Sequence, residues 1–176
     1  MRKNYKLTML SCFGSYLTQS TVINFLPLLF ITFHDSFGIP LQQITLLITI
    51  NFIVQLVVDL LAAIFIDRVG YRAGAVGSQA FCSAGLILLA FLPDLTPTPF
   101  VGILISVIVY SVGAGLIEAL ISPIVESTPS DNKETAMSLL HSFYCWGHVM
   151  VVLVSTLFFW AFGIEKWRIM ALIWAI

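Results

Sequence analysis

Five uninterrupted apolar stretches, residues 7–33, 41–66, 73–92, 100–125 and 135–163, are each long enough to cross a bilayer, and they fill most of a 176-residue chain. A spanning helix needs about 20 mostly apolar residues to cross roughly 30 Å of hydrocarbon. A sixth stretch starts near Trp167 and reaches Ile176. Ten residues of helix cover about 15 Å, half of that core. The expected fold is therefore all-α: a polytopic transmembrane bundle with five full spans and a truncated sixth, residues 1–176 forming one incomplete helical domain. On this reading the chain is a fragment or the product of a shortened gene.

Composition points the same way. Hydrophobic residues make up 59% of the chain and charged residues 10%, with a mean hydropathy of +1.00. A soluble domain is about 45–50% apolar and about 25% charged, so the polar side chains here are too few to cover a soluble surface. The bilayer is the first expected partner. A net charge of −1 argues against a nucleic-acid role. Cys12, Cys82 and Cys145 all lie inside apolar stretches and read as small buried residues rather than a disulfide framework or a zinc site. No cofactor is implied.

Arg2, Lys3 and Lys6 precede the first apolar run, as in a signal peptide. A signal h-region is only about 7–15 residues long. The run from Leu7 to Phe33 is longer and contains Gln19 and Asn24, so it reads as a retained first span. The positive-inside rule then sets orientation. With the N-terminus inside, Arg2, Lys3, Lys6, Arg68, Arg72 and Lys133 are cytoplasmic, and Lys166 and Arg168 are external. The plasma membrane is the expected location. No Asn-x-Ser/Thr acceptor is present as a second marker of sidedness.

Polar side chains inside spans are costly and usually face a bundle interior or a water-filled cavity. In the second span Asn51, Gln55 and Asp59 recur every four residues and share a helix face. They fit either cavity lining or hydrogen bonding between helices. Asp59 can also reach interfacial water or pair with Arg68 or Arg72. Glu118 stands in the fourth span among Leu116, Ile117, Ala119 and Leu120. An intramembrane carboxylate that exchanges a proton supplies what a proton-coupled carrier needs; a structural hydrogen bond, or a place near the cytoplasmic surface, is the other reading. In the fifth span His141, Tyr144, Cys145 and His148 share a stripe. Cavity lining suits them better than metal binding, because no second cluster completes a closed ligand set. The first span carries Gln19 and Asn24 ahead of Pro27, which permits a kink. Small residues in the third span (Gly74, Gly77, Ala80, Ala84, Gly85) and fourth span (Gly102, Gly113, Gly115) predict close helix approach.

Between the second and third stretches lies Ala63-Ile64-Phe65-Ile66-Asp67-Arg68-Val69-Gly70-Tyr71-Arg72. Gly70 allows a tight reversal; Asp67 can pair with Arg68 or Arg72, or cap a helix N-terminus. This run resembles the loop signature of the major facilitator superfamily, Gly-x-x-x-Asp-Arg/Lys-x-Gly-x-Arg/Lys, with Asp67, Arg68, Gly70 and Arg72 matching and Ala63 in place of the first glycine. The resemblance implies the N-terminal half of a transporter, whose loop latches it to a C-terminal half in the outward-facing state. Gly113-Ala114-Gly115-Leu116-Ile117-Glu118, followed by Pro123, is similar to the fourth helix of fucose-permease-like sugar:proton symporters, and residues 138–144 resemble the start of their fifth. That similarity implies a proton-coupling role for Glu118. The chain departs from those permeases in having Ile23 and Asn24 where their first helix carries an aspartate, and Tyr110 near the arginine common in the superfamily's fourth helix. Gly147 has no following proline, unlike the signature of drug:proton antiporters.

The expected function is secondary active transport of a small polar solute, a sugar being what the likeness to those symporters implies, by alternating access with protons. The expected wall residues are Gln19, Asn24, Asn51, Gln55, Glu118, His141, Tyr144 and His148. A truncated, non-transporting membrane protein, or a half-transporter needing a partner chain, is the alternative. A membrane-embedded enzyme using His141 and His148 is a third, without a readable nucleophile or metal set.

Overall fold

Leu29 divides the first apolar stretch in two. In the computed structural model, which describes residues 5–129 and 132–176, α1 (Tyr5–Leu28) and α2 (Phe30–Phe37) meet there at 45°. Pro27 has no N–H to give the helical ladder. The Leu29 N–H turns back to the Leu26 carbonyl at 2.9 Å, and the ladder resumes when Phe33 donates to Leu29 at 2.8 Å. The first apolar stretch is thus a bent pair of helices rather than one straight helix. Arg2 and Lys3 lie outside the described residues.

Four helices follow that are each long and apolar enough to span a bilayer: α3 (Leu41–Val69), α4 (Tyr71–Leu95), α5 (Pro99–Ser127) and α6 (Lys133–Phe162). Their ends lie within about three residues of the boundaries read from sequence, mostly beyond them. A short 3₁₀ turn (Ile164–Lys166) leads into α7 (Trp167–Trp174). Among the described residues no strand occurs. Local chemistry sets the boundaries. Gly70 alone separates α3 from α4, at φ 89°, a conformation that a side chain would resist. Pro99 opens α5 at a position where its missing N–H costs nothing. The Asn132 side chain caps α6 by accepting from Thr135 N at 3.3 Å.

α5 is the central helix, and glycine is the reason. A Cβ at Gly113 would lie 2.6 Å from the Ser78 carbonyl oxygen and 2.7 Å from Cys82 N; one at Gly85 would lie 2.6 Å from Tyr110 N. α4 and α5 therefore touch backbone to backbone, the most extensive contact in the bundle. On another side of α5, Gly115 admits α3, where a Cβ would stand 2.8 Å from the Gln55 carbonyl oxygen. Gly147 of α6 makes room for the Ser20 side chain of α1, and α1 also packs on α5. Gly77, grouped with these by sequence, meets nothing. The outward sides of α3 and α6 remain apolar and exposed, with Leu56, Leu60, Leu153 and Trp160 among them, a surface suited to lipid rather than water.

From α1 through the α1–α2 bend, the long helices alternate in direction, so Lys6, Arg68, Arg72 and Lys133 gather at one end, and Lys166 and Arg168 at the other. Arg168 at the start of α7 meets Asp94 at the end of α4, N to O at 2.7 Å. Trp167 packs edge-on against Phe33, ring centroids 5.3 Å apart, and Trp174 Nε1 donates to Ser155 Oγ at 3.0 Å. The short α7 is thus tied to α2, α4 and α6.

Candidate functional site

Glu118 has a partner that its apolar sequence neighbours do not announce. Gln19 of α1 donates from Nε2 to the Glu118 carboxylate at 2.5 Å and, more weakly, to the Ala114 carbonyl at 3.4 Å. α1 and α5 are antiparallel, so the next turn of each brings Tyr16 to Ser122, their hydroxyls 3.0 Å apart. Two polar rungs therefore cross this seam. Gln19 and Tyr16 are buried, at 1% and 2% exposure, whereas Glu118 is exposed on an uncovered side of the bundle. Glu118, read from sequence as a carboxylate among apolar neighbours, thus has a polar partner on α1 and an exposed position. Glycine at 113 and 115 draws α5 onto α3 and α4, which leaves the side of the helix bearing Glu118 free to meet α1 and the open surface.

α6 closes the other flank of α1. His141 lies 6.0 Å from the Tyr16 ring, and Tyr144 packs edge-on against Tyr16 at 5.7 Å. His148 packs edge-on against Tyr144 at 4.4 Å, and its Nδ1 donates to the Tyr144 carbonyl at 2.9 Å. His141 is exposed, and Tyr144 and His148 are half-buried. The i, i+3, i+7 stripe on α6 is thereby brought next to the Gln19–Glu118 pair through Tyr16. Tyr16 was not among the residues read from sequence as wall candidates. A tyrosine inside an apolar run gives no periodic polar signal, and its partner Ser122 lies 106 residues away.

The α3 residues form a second, separate cluster. Asn51 Oδ1 accepts from Ser111 Oγ at 2.6 Å and from Gln55 Nε2 at 2.9 Å. Asn51 is buried and Gln55 half-buried, so this cluster ties α3 to α5. Asn24 is half-buried and donates from Nδ2 to the Ser20 carbonyl of its own helix at 2.8 Å. Ser11, Ser15 and Thr18 likewise bond back into α1. The structure therefore brings Gln19, Glu118, His141, Tyr144 and His148 into one neighbourhood, with Asn24, Asn51 and Gln55 outside it. A cleft of about 870 Å³ between α1, α4 and α5, lined by Ser15, Arg72, Val76 and Gln79 among others, does not include Glu118.

The reversal between α3 and α4 is tighter than a loop. Ala63, Asp67 and Arg68 lie within α3, and Arg72 lies in the first turn of α4. All four are exposed. Gly70 donates to the Ile66 carbonyl at 2.7 Å and accepts from Gly74 at 3.1 Å. Asp67 neither pairs with Arg68 or Arg72 nor caps a helix; among the described residues Arg168–Asp94 is the one ion pair. Asp59 likewise makes no pair with Arg68 or Arg72. Helical geometry explains this: Asp67 and Arg68 are adjacent and point in different directions.

Electrostatically, the acidic residues within the spans are Asp59 and Glu118, while every described Lys and Arg sits within about two turns of a helix end. The Glu118 neighbourhood offers a carboxylate, aromatic faces and imidazoles, with no fixed cation to hold an anion. No group of three His, Cys, Asp or Glu side chains among the described residues is placed to hold a metal ion.

A family model for the Major Facilitator Superfamily matches residues 8–176. No curated protein and no solved structure matches the chain.

Proposed function

The chain belongs to the Major Facilitator Superfamily, and from that premise we propose that it forms the wall of a proton-coupled transport path for a small polar solute, with Glu118 as the proton-exchanging group. Membership makes it a secondary transporter and an integral membrane protein. The single observation that carries the finer reading is the Glu118 carboxylate, exposed on the open side of the bundle and held there by Gln19 from α1. An ionisable group in a span is a functional candidate because its burial in hydrocarbon is so unfavourable. Among the described residues no cation pairs with it. Tyr16, on the neighbouring rung of the α1–α5 seam, packs with the His141 and Tyr144 rings.

A sugar is the solute class that suits this wall. The carboxylate and imidazoles accept and donate hydrogen bonds, and aromatic faces stack on the apolar face of a pyranose. An anionic solute would meet a carboxylate and no compensating cation. The open face bearing Glu118 and His141 meets a second helical half, and the two halves alternate access to a site near the midplane. The concentration of Lys6, Arg68, Arg72 and Lys133 at one end supports a cytoplasmic N-terminus, in the plasma membrane.

The test is transport in energised vesicles with a panel of labelled hexoses and pentoses. Glu118→Gln is expected to abolish concentrative uptake driven by a proton gradient while sparing solute exchange. Unchanged concentrative uptake would remove Glu118 from the coupling role.

A further inference from the structure

Of the two histidines on the α6 stripe, His148 alone has a ring hydrogen bond among the described residues: its Nδ1 stands 2.9 Å from the Tyr144 carbonyl oxygen. A carbonyl oxygen only accepts, and a neutral imidazole carries one N–H. The proton therefore sits on Nδ1, because on Nε2 it would leave two lone pairs facing each other across 2.9 Å. The same carbonyl closes the α6 ladder to the His148 backbone N–H, so both of its lone pairs are in use. The ring is also held edge-on to Tyr144 at 4.4 Å. Nε2 is left as an acceptor with no hydrogen of its own to offer.

That acceptor has no partner among the described residues, and it is not enclosed: the one unpaired polar side-chain atom buried among them is Gln19 Oε1. His148 is half-buried, with Nε2 open at the bundle surface. Hydrocarbon offers an imidazole acceptor nothing, and an unmet polar group there is costly. The edge of α6 that carries His148 also carries Tyr144, which packs against Tyr16 at 5.7 Å and lies within electrostatic reach of Glu118. Nε2 thus belongs to the side of the bundle that bears the carboxylate, where a polar path satisfies it.

We propose that His148, locked as the Nδ1–H tautomer, is a specificity-determining residue: its Nε2 accepts a hydrogen bond from one particular hydroxyl of a neutral polyhydroxy solute. The inference rests on the transport path proposed above and adds the direction of this hydrogen bond. A group at that position that can only accept, such as a fluorine, meets the Nε2 lone pair and is rejected. His141 has no hydrogen bond to fix its tautomer among the described residues, and imposes no such direction.

The experiment uses the full chain in lipid with ring-¹⁵N-labelled histidine. The His148 resonances are assigned by their loss in His148→Asn, or in His148→Gln should that variant fold poorly. Near neutral pH the expected pattern is a protonated Nδ1 and a bare Nε2. The reverse tautomer, or an even mixture of the two, overturns the inference whatever the chain transports. Uptake is then measured with the hexose or pentose that wild-type vesicles accumulate most, its hydroxyls replaced by fluorine one at a time. Replacement at one position is expected to cost about tenfold in uptake efficiency. That penalty should vanish in His148→Asn, which has no atom at the place of Nε2, and persist in His148→Gln, whose amide oxygen reaches it. A purely structural role would lower every analogue alike and keep the penalty in His148→Asn; that result overturns the inference and leaves the coupling role of Glu118 intact. A panel from which no sugar is accumulated overturns the transport reading, and this inference with it.

Discussion

Adding one methyl group at Gly113 and, separately, at Gly77 isolates the steric term that holds this bundle together. Both glycines lie in helix interiors, so alanine gains the same intrinsic helix preference at each, about 0.8–1 kcal/mol. Their surroundings differ. At Gly113 the new Cβ would stand 2.6 Å from the Ser78 carbonyl oxygen and 2.7 Å from Cys82 N, well inside the 3.4 Å at which ordinary contact begins. Two of these neighbours are backbone atoms and cannot rotate away, so α4 and α5 must part. Overpacking of this kind costs about 1–3 kcal/mol, and parting the helices also loosens the backbone contact at Gly85 and Tyr110. At Gly77 nothing lies within 4 Å. With the loosened Gly85–Tyr110 contact added to the overpacking, Gly113→Ala should therefore be net destabilising, by up to about 2 kcal/mol, and Gly77→Ala should gain up to about 1 kcal/mol. The assay is reversible unfolding in mixed micelles, read as the shift in midpoint at constant slope. A neutral Gly113→Ala, or two variants shifting with the same sign, would refute the claim that backbone contact at the α4–α5 seam decides the packing.

Two further perturbations follow from polar contacts. Asn51→Leu removes the acceptor shared by Ser111 and Gln55; interhelical hydrogen bonds in membranes average about 0.6 kcal/mol and reach about 1.7, so a loss near the upper value is expected in the same unfolding assay, and Ser111→Ala alone should cost less. The Arg168–Asp94 pair is 40% and 50% exposed, so a double-mutant cycle with Arg168→Ala and Asp94→Ala should return a coupling of at most about 1 kcal/mol that shrinks with added salt.

Much of the scaffold was legible in the sequence because lipid imposes a length rule. Runs such as 41–66 and 100–125 need only be counted, and α3 and α5 lie over them with a few polar residues added at the ends. Pro27 signalled a kink, but not that the ladder would break at Leu29 and turn by 45°. The reversal at Gly70 was readable as glycine between charges. The behaviour of Asp67 was not, since adjacent residues on a helix diverge and no local rule pairs them.

The site was less legible, for a physical reason. Glu118 and the α6 stripe were visible as polar positions in apolar runs. What joins them is Gln19, 99 residues from Glu118 in the chain, and Tyr16, whose ring belongs as readily to a core as to a cavity. Helix periodicity reports which residues share a face; it does not report which helix that face meets. The same ambiguity covers Asn51 and Gln55, whose stripe fitted both a cavity and an interhelical bond. Ser111 supplies the bond from α5 to Asn51, and a serine in an apolar helix carries no distinguishing mark in the sequence.

Whether Glu118 opens onto water, as a transport path requires, is tested most directly by cysteine accessibility. In a chain with Cys12, Cys82 and Cys145 replaced, Glu118→Cys is compared with Leu153→Cys, an exposed apolar position of α6, in membranes treated with a charged, membrane-impermeant maleimide. The predicted result is rapid modification at position 118 and none at 153. Equal protection at both positions would place Glu118 against lipid or protein and contradict the proposed path.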